Sequence, residues 1–236
     1  SDLVIVPTES IKAILRDWGV KSKIVTIPTG VNEEEMNKAN GDLVRQKYGI
    51  KNDDIVLLVV TRLTPEKNIE FLFHAVMPIL NFNKKIKFLV AADGYLRPKM
   101  EKIVAQNRLT GQVIFAGHIP NEEKKHYYAA GDIFVFSSLS ETQGIVVTEA
   151  MYMGLPIVAV RAPGPKSLVA DNKNGFLVPE LREEFTKAVQ KLINDSELRK
   201  RFAEESRRIA REKYTSKICA AKMLAVYQNL SERFKN

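Results

Sequence analysis

"DIVLLVVTRLTPEKNIEFLFHAVMPIL", residues 54–80, opens with a near-continuous apolar run, "DIVLLVV", and passes through a short polar loop into a helical pattern, "PEKNIEFLFHAVMPIL". An apolar run without alternation is how a strand buried on both faces reads. The same alternation of run and helix recurs along the chain. Further runs are "IKFLVAA" (86–92), "VIFAG" (113–117), "DIFVFSS" (132–138), "PIVAV" (156–160) and "GFLV" (175–178). Helical stretches such as "LRPKMEKIVAQNRL" lie between them. Strand alternating with helix predicts an α/β fold with a doubly wound parallel sheet. Ligands of such sheets bind outside the carboxyl ends of the strands, so the loops after the strands carry the candidate chemistry.

The chain has 236 residues, enough for one large domain or two small ones. Its 45% apolar and 27% charged content is that of a soluble globular protein and excludes disorder as the default. No apolar run approaches the roughly 20 residues of a membrane span. The opening "SDLVIVPTES" reads as a strand and a helix start, not as a signal peptide, and it lacks an initiator Met. One cysteine, Cys219, leaves no internal disulfide and fits a reducing, cytoplasmic compartment. The net charge of +8 favours anionic partners such as phosphates, acidic lipid or nucleic acid, with a merely solvated basic surface as the other reading. The densest basic stretch, "LRKRFAEESRRIAREK" (198–213), alternates in sign, as an exposed helix face does.

Residues 1–38 differ from the rest. "DLVIVPT", "ESIKAILRDWG" and "KIVTIPTGV" form one strand–helix–strand unit, too small to bury a core alone, and the polar "NEEEMNKANGD" separates it from the longer remainder of the chain. The expected division is therefore the tail end of another domain over 1–38 and the main domain over 39–236. The helices beyond Ser196 are expected to pack back toward that other domain.

Three loops stand out. In "VVTRLTPEKN", Arg62 follows a strand, and Thr64 and Pro65 read as N-cap and first helical residue. A capping box would place Glu or Gln where Lys67 stands, so two cations crowd a positive helix end. A bound phosphate would relieve that conflict; a solvated Lys and a carboxylate-paired Arg would also account for it. In "FLVAADGYLRP", Gly94 reads as a tight turn, and the absence of GxGxxG sets aside a dinucleotide site. In "FAGHIPNEE", His118 and Ile119 follow a strand end, where the loop backbone can edge a base. His74 and His126 fall inside helical patterns, and the His and Cys positions show no metal-ligand spacing.

The fourth loop, "ETQGIVVTEA" (141–150), places Glu141 and Glu149 on either side of a helix start. Gly144 allows close approach, and the free N–H groups near Gly144, Ile145 and Val146 can hold phosphate oxygens. Helical side chains lean toward the N-terminus, so Glu149 can point back at the same ligand. Five residues of helix rise ~7–8 Å, about the length of a diphosphate with its attachments. A nucleotide sugar, with sugar, diphosphate and ribose in line, has that layout. The plainer alternative is one capping and one solvated Glu.

These motifs together resemble the retaining glycosyltransferases of family 4, which have the two-domain GT-B fold. "RLTPEKN", "ADGYLRP", "GHIPNEE", "SETQGIVVTEAMYMGLPIVA" and "NGFLVPE" run in that family's order, and Glu141 and Glu149 fit its E-x7-E spacing. "PTGV" (28–31) resembles the exit from the N-terminal domain, and "DLVIVPTESIKAILRDWGV" looks most like enzymes acting on diacylglycerol lipids. The resemblance implies the Rossmann-like donor half of a GT-B enzyme. A sugar would pass from a nucleotide-diphosphate donor to an acceptor, a lipid or a glycan, with retention. It implies that Arg62 and Lys67 neutralise the diphosphate, that Glu141 faces the sugar and Glu149 the ribose, and that His118 and Ile119 border the base. Backbone and side chains from Thr142, Gln143, Gly144, Ile145 and Val146, with the turn at Gly94, complete the donor site. No metal or other cofactor is expected, and no DxD motif occurs. Ala92 and the segment at Lys166 and Ser167 depart from the family's usual Gly and acidic residue. The expected place is the cytoplasm, peripheral on the cytoplasmic face of an anionic membrane, without nucleic-acid partners. A chain that is only the donor half would be inactive alone. Competing readings are a nucleotide-sugar-binding module without turnover and a sugar-nucleotide epimerase of the same fold. A glycosidase using Glu141 and Glu149 gives no reason for Arg62 and Lys67.

Overall fold

The computed structural model describes residues 2–233. A strand–helix–strand unit comes first: β1 (Leu3–Val6), α1 (Glu9–Asp17) and β2 (Lys23–Thr26). Its strands pair in parallel, Leu3 opposite Lys23 and Val6 opposite Thr26. Thr8 starts α1 in an extended backbone conformation, its hydroxyl accepting the Ile11 N–H at 3.3 Å. The polar stretch after β2 is folded rather than a bare separator. Asn32 caps the single turn α2 (Glu33–Met36), and Asn40 caps α3 (Gly41–Lys47). Met36 anchors that turn by burying its side chain in the core.

The main body alternates without exception: β3 (Ile55–Arg62), α4 (Ile69–Phe82), β4 (Ile86–Asp93), α5 (Arg97–Gln106), β5 (Val113–Phe115), α6 (Lys124–Ala130), β6 (Ile133–Phe136), α7 (Ile145–Tyr152), β7 (Ile157–Val160), α8 (Pro163–Leu168) and β8 (Gly175–Val178). Three helices complete the chain: α9 (Arg182–Asn194), α10 (Ser196–Lys213) and α11 (Ser216–Arg233). All six apolar runs form strands of one parallel sheet, in the order β5-β4-β3-β6-β7-β8. The reason is visible in β3. Leu57 and Val59 point into one core with Phe73, Phe88, Phe185 and Phe202. Val56, Leu58 and Val60 point into the other with Tyr128, Phe134, Val147 and Met151. Both faces are covered, so no position on the strand's buried stretch can be polar. Each fully buried Leu or Phe contributes roughly 1.5–3 kcal/mol.

The chain steps from β3 outward to β4 and β5, returns to β6 beside β3, and steps the other way to β7 and β8. Loops after β3 and β6 therefore leave in opposite directions, and a crevice opens between them. On the flanks, α9 packs on α4, α10 on α7, and α1 on α8. Val226 and Leu230 of α11 come together with Leu3 and Val25 of the N-terminal strands.

The helix after β3 begins later than its sequence pattern implies. Thr64 has a cap's extended backbone but makes no side-chain cap bond. Pro65–Lys67 forms one 3-10 turn, Asn68 adopts φ 54°, and α4 starts at Ile69. Asn enters that left-handed conformation more readily than most residues, and here its side chain donates to Glu180 Oε1 at 2.7 Å; the turn redirects the chain. Lys67 is thus outside α4, and the expected conflict with that helix's dipole does not arise. Its carbonyl accepts the Ser137 hydroxyl at 2.8 Å, tying the turn to the loop after β6. Gly94 has a structural reason: a Cβ there would lie 2.6 Å from the Leu63 carbonyl oxygen, so the loops after β3 and β4 can close on each other only over Gly.

Candidate functional site

A cleft of about 440 Å³ opens at the crevice between β3 and β6. The ends of β3 and β4 supply Val60, Thr61, Arg62, Ala91, Ala92 and Asp93. Lys67 comes from the 3-10 turn, His118 and Ile119 from the loop after β5, and Lys124 from the start of α6. The segment from Glu141 to Val146 forms the wall that leads into α7, and Pro7 and Thr29 reach in from the N-terminal unit. Of the residues singled out in the sequence, Arg62, Lys67, His118, Ile119, Glu141, Thr142, Gln143, Gly144, Ile145 and Val146 are brought together here. Gly94 and Glu149 are not part of the lining.

Gly144 is the N-cap of α7 with φ 83°, a conformation that Gly adopts without strain. The first amides of α7, those of Ile145 and Val146, have no preceding helical turn to bond to, and they open onto the cleft. The positive end of a helix and three cations, Arg62, Lys67 and Lys124, thus line one cleft. Lys67 Nζ lies 2.5 Å from Glu141 Oε1, in a pair whose side chains are only 13% and 20% exposed. An ammonium has three N–H donors and Glu141 takes one, so Lys67 keeps capacity for a ligand. Arg62 is different. Its side chain is 70% exposed and meets Glu66 at 3.4 Å, a screened contact that costs little to break.

Glu149 lies further along α7, half-buried. Its Oε2 accepts the hydroxyl of fully buried Tyr128 at 2.6 Å. Burial pushes the Glu149 carboxyl above its ordinary value, while the Tyr128 hydroxyl and the Lys124 charge pull it partway back. The same burial, with Glu149 beside it, raises the Tyr128 hydroxyl well above its usual range. Gln143 is also occupied: its amide bonds the Thr29 backbone twice. Sequence reasoning missed Lys124, Asp93, Pro7 and Thr29. Lys124 lies in a run of two acids followed by two lysines, "NEEKKHYY", with nothing to single it out. Pro7 and Thr29 come from the far end of the chain, and Thr29 is brought in by contacts the sequence does not show, among them its two bonds to Gln143. Among the described residues, no group of three or more His, Cys, Asp or Glu could hold a metal ion. Nor is any helix among them long and apolar enough to cross a membrane.

Residues 41–209 match the family described as glycosyl transferases, group 1. The chain is 36% identical over 183 residues to an alpha-monoglucosyldiacylglycerol synthase of Streptococcus pneumoniae, a match that covers 75% of this chain and 41% of the relative. It is 30% identical over 188 residues to an alpha-D-kanosaminyltransferase of Streptomyces kanamyceticus, covering 79% of this chain and 48% of the relative. Its fold is similar to that of a sucrose-phosphate synthase from Thermosynechococcus elongatus, with a TM-score of 0.88 and 26% identity over 99% of this chain and 59% of that one. The chain spans about half the length of the curated relatives it matches.

Two outcomes are expected from this geometry. Lys67→Ala or Glu141→Ala each leaves a half-buried charge unpaired, at a cost of about 1–3 kcal/mol. The double variant should lose less than the sum of the two, which urea denaturation of all four proteins measures. For Glu149, a folded-state pKa raised by burial means that ionisation opposes folding. Stability is lost as pH rises from the unfolded value through the raised one, and the penalty is complete above it. Glu149→Gln keeps an acceptor for Tyr128 and removes the charge. It should therefore stabilise the chain at pH 7.5 and make no difference at pH 3.5, as read from denaturant midpoints at the two pH values.

Proposed function

The chain belongs to the group 1 glycosyl transferases, and from that premise we propose that it is the donor-binding half of a retaining glycosyltransferase. The donor is a nucleoside-diphosphate sugar, and the acceptor is a lipid or a glycan. One observation carries the reading: the Lys67–Glu141 pair and the N-terminus of α7 face one cleft at the point where the strand order reverses. A cation and a helix end suit a diphosphate, and a carboxylate beside them suits sugar hydroxyls.

Each residue then has a physical task. As the bond from the sugar's anomeric carbon to the diphosphate breaks, negative charge grows on the leaving oxygen. Lys67 and the amides of Ile145 and Val146 face that charge in place before the reaction begins. Arg62 swings in from its loose contact with Glu66. Glu141, held by Lys67, accepts hydrogen bonds from the sugar. Glu149 is the carboxylate proposed for the ribose, and His118 and Ile119 edge the base. These fixed charges serve the leaving group without a divalent ion. The acceptor hydroxyl oxygen forms the new glycosidic bond on the face that the leaving group vacates, its proton passes to the departing diphosphate oxygen, and the configuration is retained. Residues 1–38 are proposed to belong to the acceptor-side domain, and 39–236 to the donor domain.

A lipid acceptor is supported by the similarity to a glycolipid synthase and by the net charge of +8, which draws the protein to an anionic surface. The proposed working place is the cytoplasmic face of a membrane, bound at its surface.

Calorimetric titration of the chain with UDP-, GDP- and ADP-glucose tests the donor reading. At least one should bind, and Lys67→Ala should weaken it by roughly tenfold or more, the loss of a charge-assisted bond of ~1.5–3 kcal/mol. The chain alone should bind that donor yet transfer no sugar. No binding by any of the three, or equal binding by the variant, would count against the reading.

A further inference from the structure

Gln143 lies at the edge of the cleft, but its side-chain amide faces the chain, not a ligand. It is 4% exposed. Its Oε1 accepts the Thr29 N–H at 2.8 Å, and its Nε2 donates to the Thr29 carbonyl at 2.9 Å. A primary amide carries an acceptor and a donor side by side, so it can satisfy both halves of a backbone residue at once. The residue before it is tied to the same unit: the carbonyl of Thr142 accepts the hydroxyl of buried Thr8 at 2.9 Å. Glu141 is held from the other side, by Lys67 and by close packing on Gly164, where a Cβ would stand 2.7 Å from that of Glu141.

The N-terminal end of this connection is itself anchored. Val31 donates to the Tyr214 carbonyl at 2.7 Å, and Ser216 donates back to the Val31 carbonyl at 2.8 Å. The Glu33 carboxylate accepts the Ser216 N–H and hydroxyl at 3.0 and 2.8 Å. The segment carrying Thr29 is therefore clamped to the junction of α10 and α11. The loop that presents Glu141 is thus held by Thr8 and Thr29 on one side and by Lys67 and Gly164 on the other. By contrast, α7 is held within the main domain, where it packs on α10.

We propose that Gln143 is a positioning residue that ties Glu141, and with it the sugar end of the donor site, to the place of the N-terminal unit. The proposal rests on the donor reading given above. Its consequence is a division within one ligand. The diphosphate end is set by the start of α7 and by Lys67, whose backbone Ser137 holds, and neither is bonded to Gln143. The sugar end follows Thr8 and Thr29. A shift of either tie then moves Glu141 and leaves the phosphate amides where they are.

The test compares wild type with Gln143→Met, which keeps the volume and loses both bonds, and Gln143→Glu, which keeps the acceptor alone. Thr8→Val removes the companion bond, together with the α1 cap, without altering the cleft lining. Titrations use whichever of UDP-, GDP- and ADP-glucose binds wild type most tightly, together with its nucleoside diphosphate. Affinity for the nucleotide sugar should fall about tenfold in Gln143→Met and in the same direction, by less, in Gln143→Glu and Thr8→Val. Affinity for the nucleoside diphosphate should stay within about twofold. An equal loss for both ligands, or no loss for either alongside a lower melting temperature, overturns the proposal and leaves Gln143 as packing. Hydrogen exchange without ligand gives a second, donor-independent reading. Gln143→Met should exchange faster at 141–143 and unchanged at 145–152; unchanged exchange at 141–143 also overturns it. Failure of wild type to bind any of the three sugars counts against the donor reading, whereas the exchange rate at 141–143 still decides the tie itself.

Discussion

The pairing of β3 with β6 is the constraint on which the rest of this structure depends. Leu57 stands opposite Ile133 and Leu58 opposite Phe134, so the chain, after building outward to β5, must return to the middle of its own sheet. That return buries β3 on both faces and both edges, which is why its central residues are apolar without a break. It also sends the loops after β3 and β6 in opposite directions. The crevice between them is a consequence of topology, and the charged groups of the candidate site are delivered to it by strand ends, helix starts and the loops that join them.

The site pairs fixed charge with movable charge. Lys67 is held by Glu141 in a pair shielded from solvent, and its backbone is held by Ser137. Arg62 lies in the open on a weak contact with Glu66. Glu149 is half-buried and bonded to Tyr128, where burial makes its charge costly. The energetic cost of holding that carboxylate is offset in part by a single strong hydroxyl bond.

The sheet was legible because burial on both faces leaves an unmistakable pattern, and "GFLV" (175–178) coincides with β8 residue for residue. The loop residues were legible for another reason: Gly144 before an apolar helix, and cations just after a strand, are local signals. What did not show was whatever depends on distant packing. Thr64 looks like a cap, but Ser137 and Asn68 pull the turn away from α4. Gln143 reads as one more lining residue until Thr29, from the other end of the chain, claims its amide. The polar stretch around Met36 reads as a separator because its one buried anchor is a single residue among charges. Glu149 shows its spacing in the sequence but not its partner, since Tyr128 lies on another helix.

The central claim is that the anion-binding wall made by Lys67 and the start of α7 holds the diphosphate of a nucleotide sugar. A crystal structure of the chain soaked with the nucleotide sugar it binds addresses this most directly. The account predicts diphosphate oxygens within roughly 2.7–3.2 Å of Lys67 Nζ and of the Ile145 and Val146 amides, with the sugar toward Glu141. A diphosphate bound elsewhere on the chain, with that wall left empty, would contradict it.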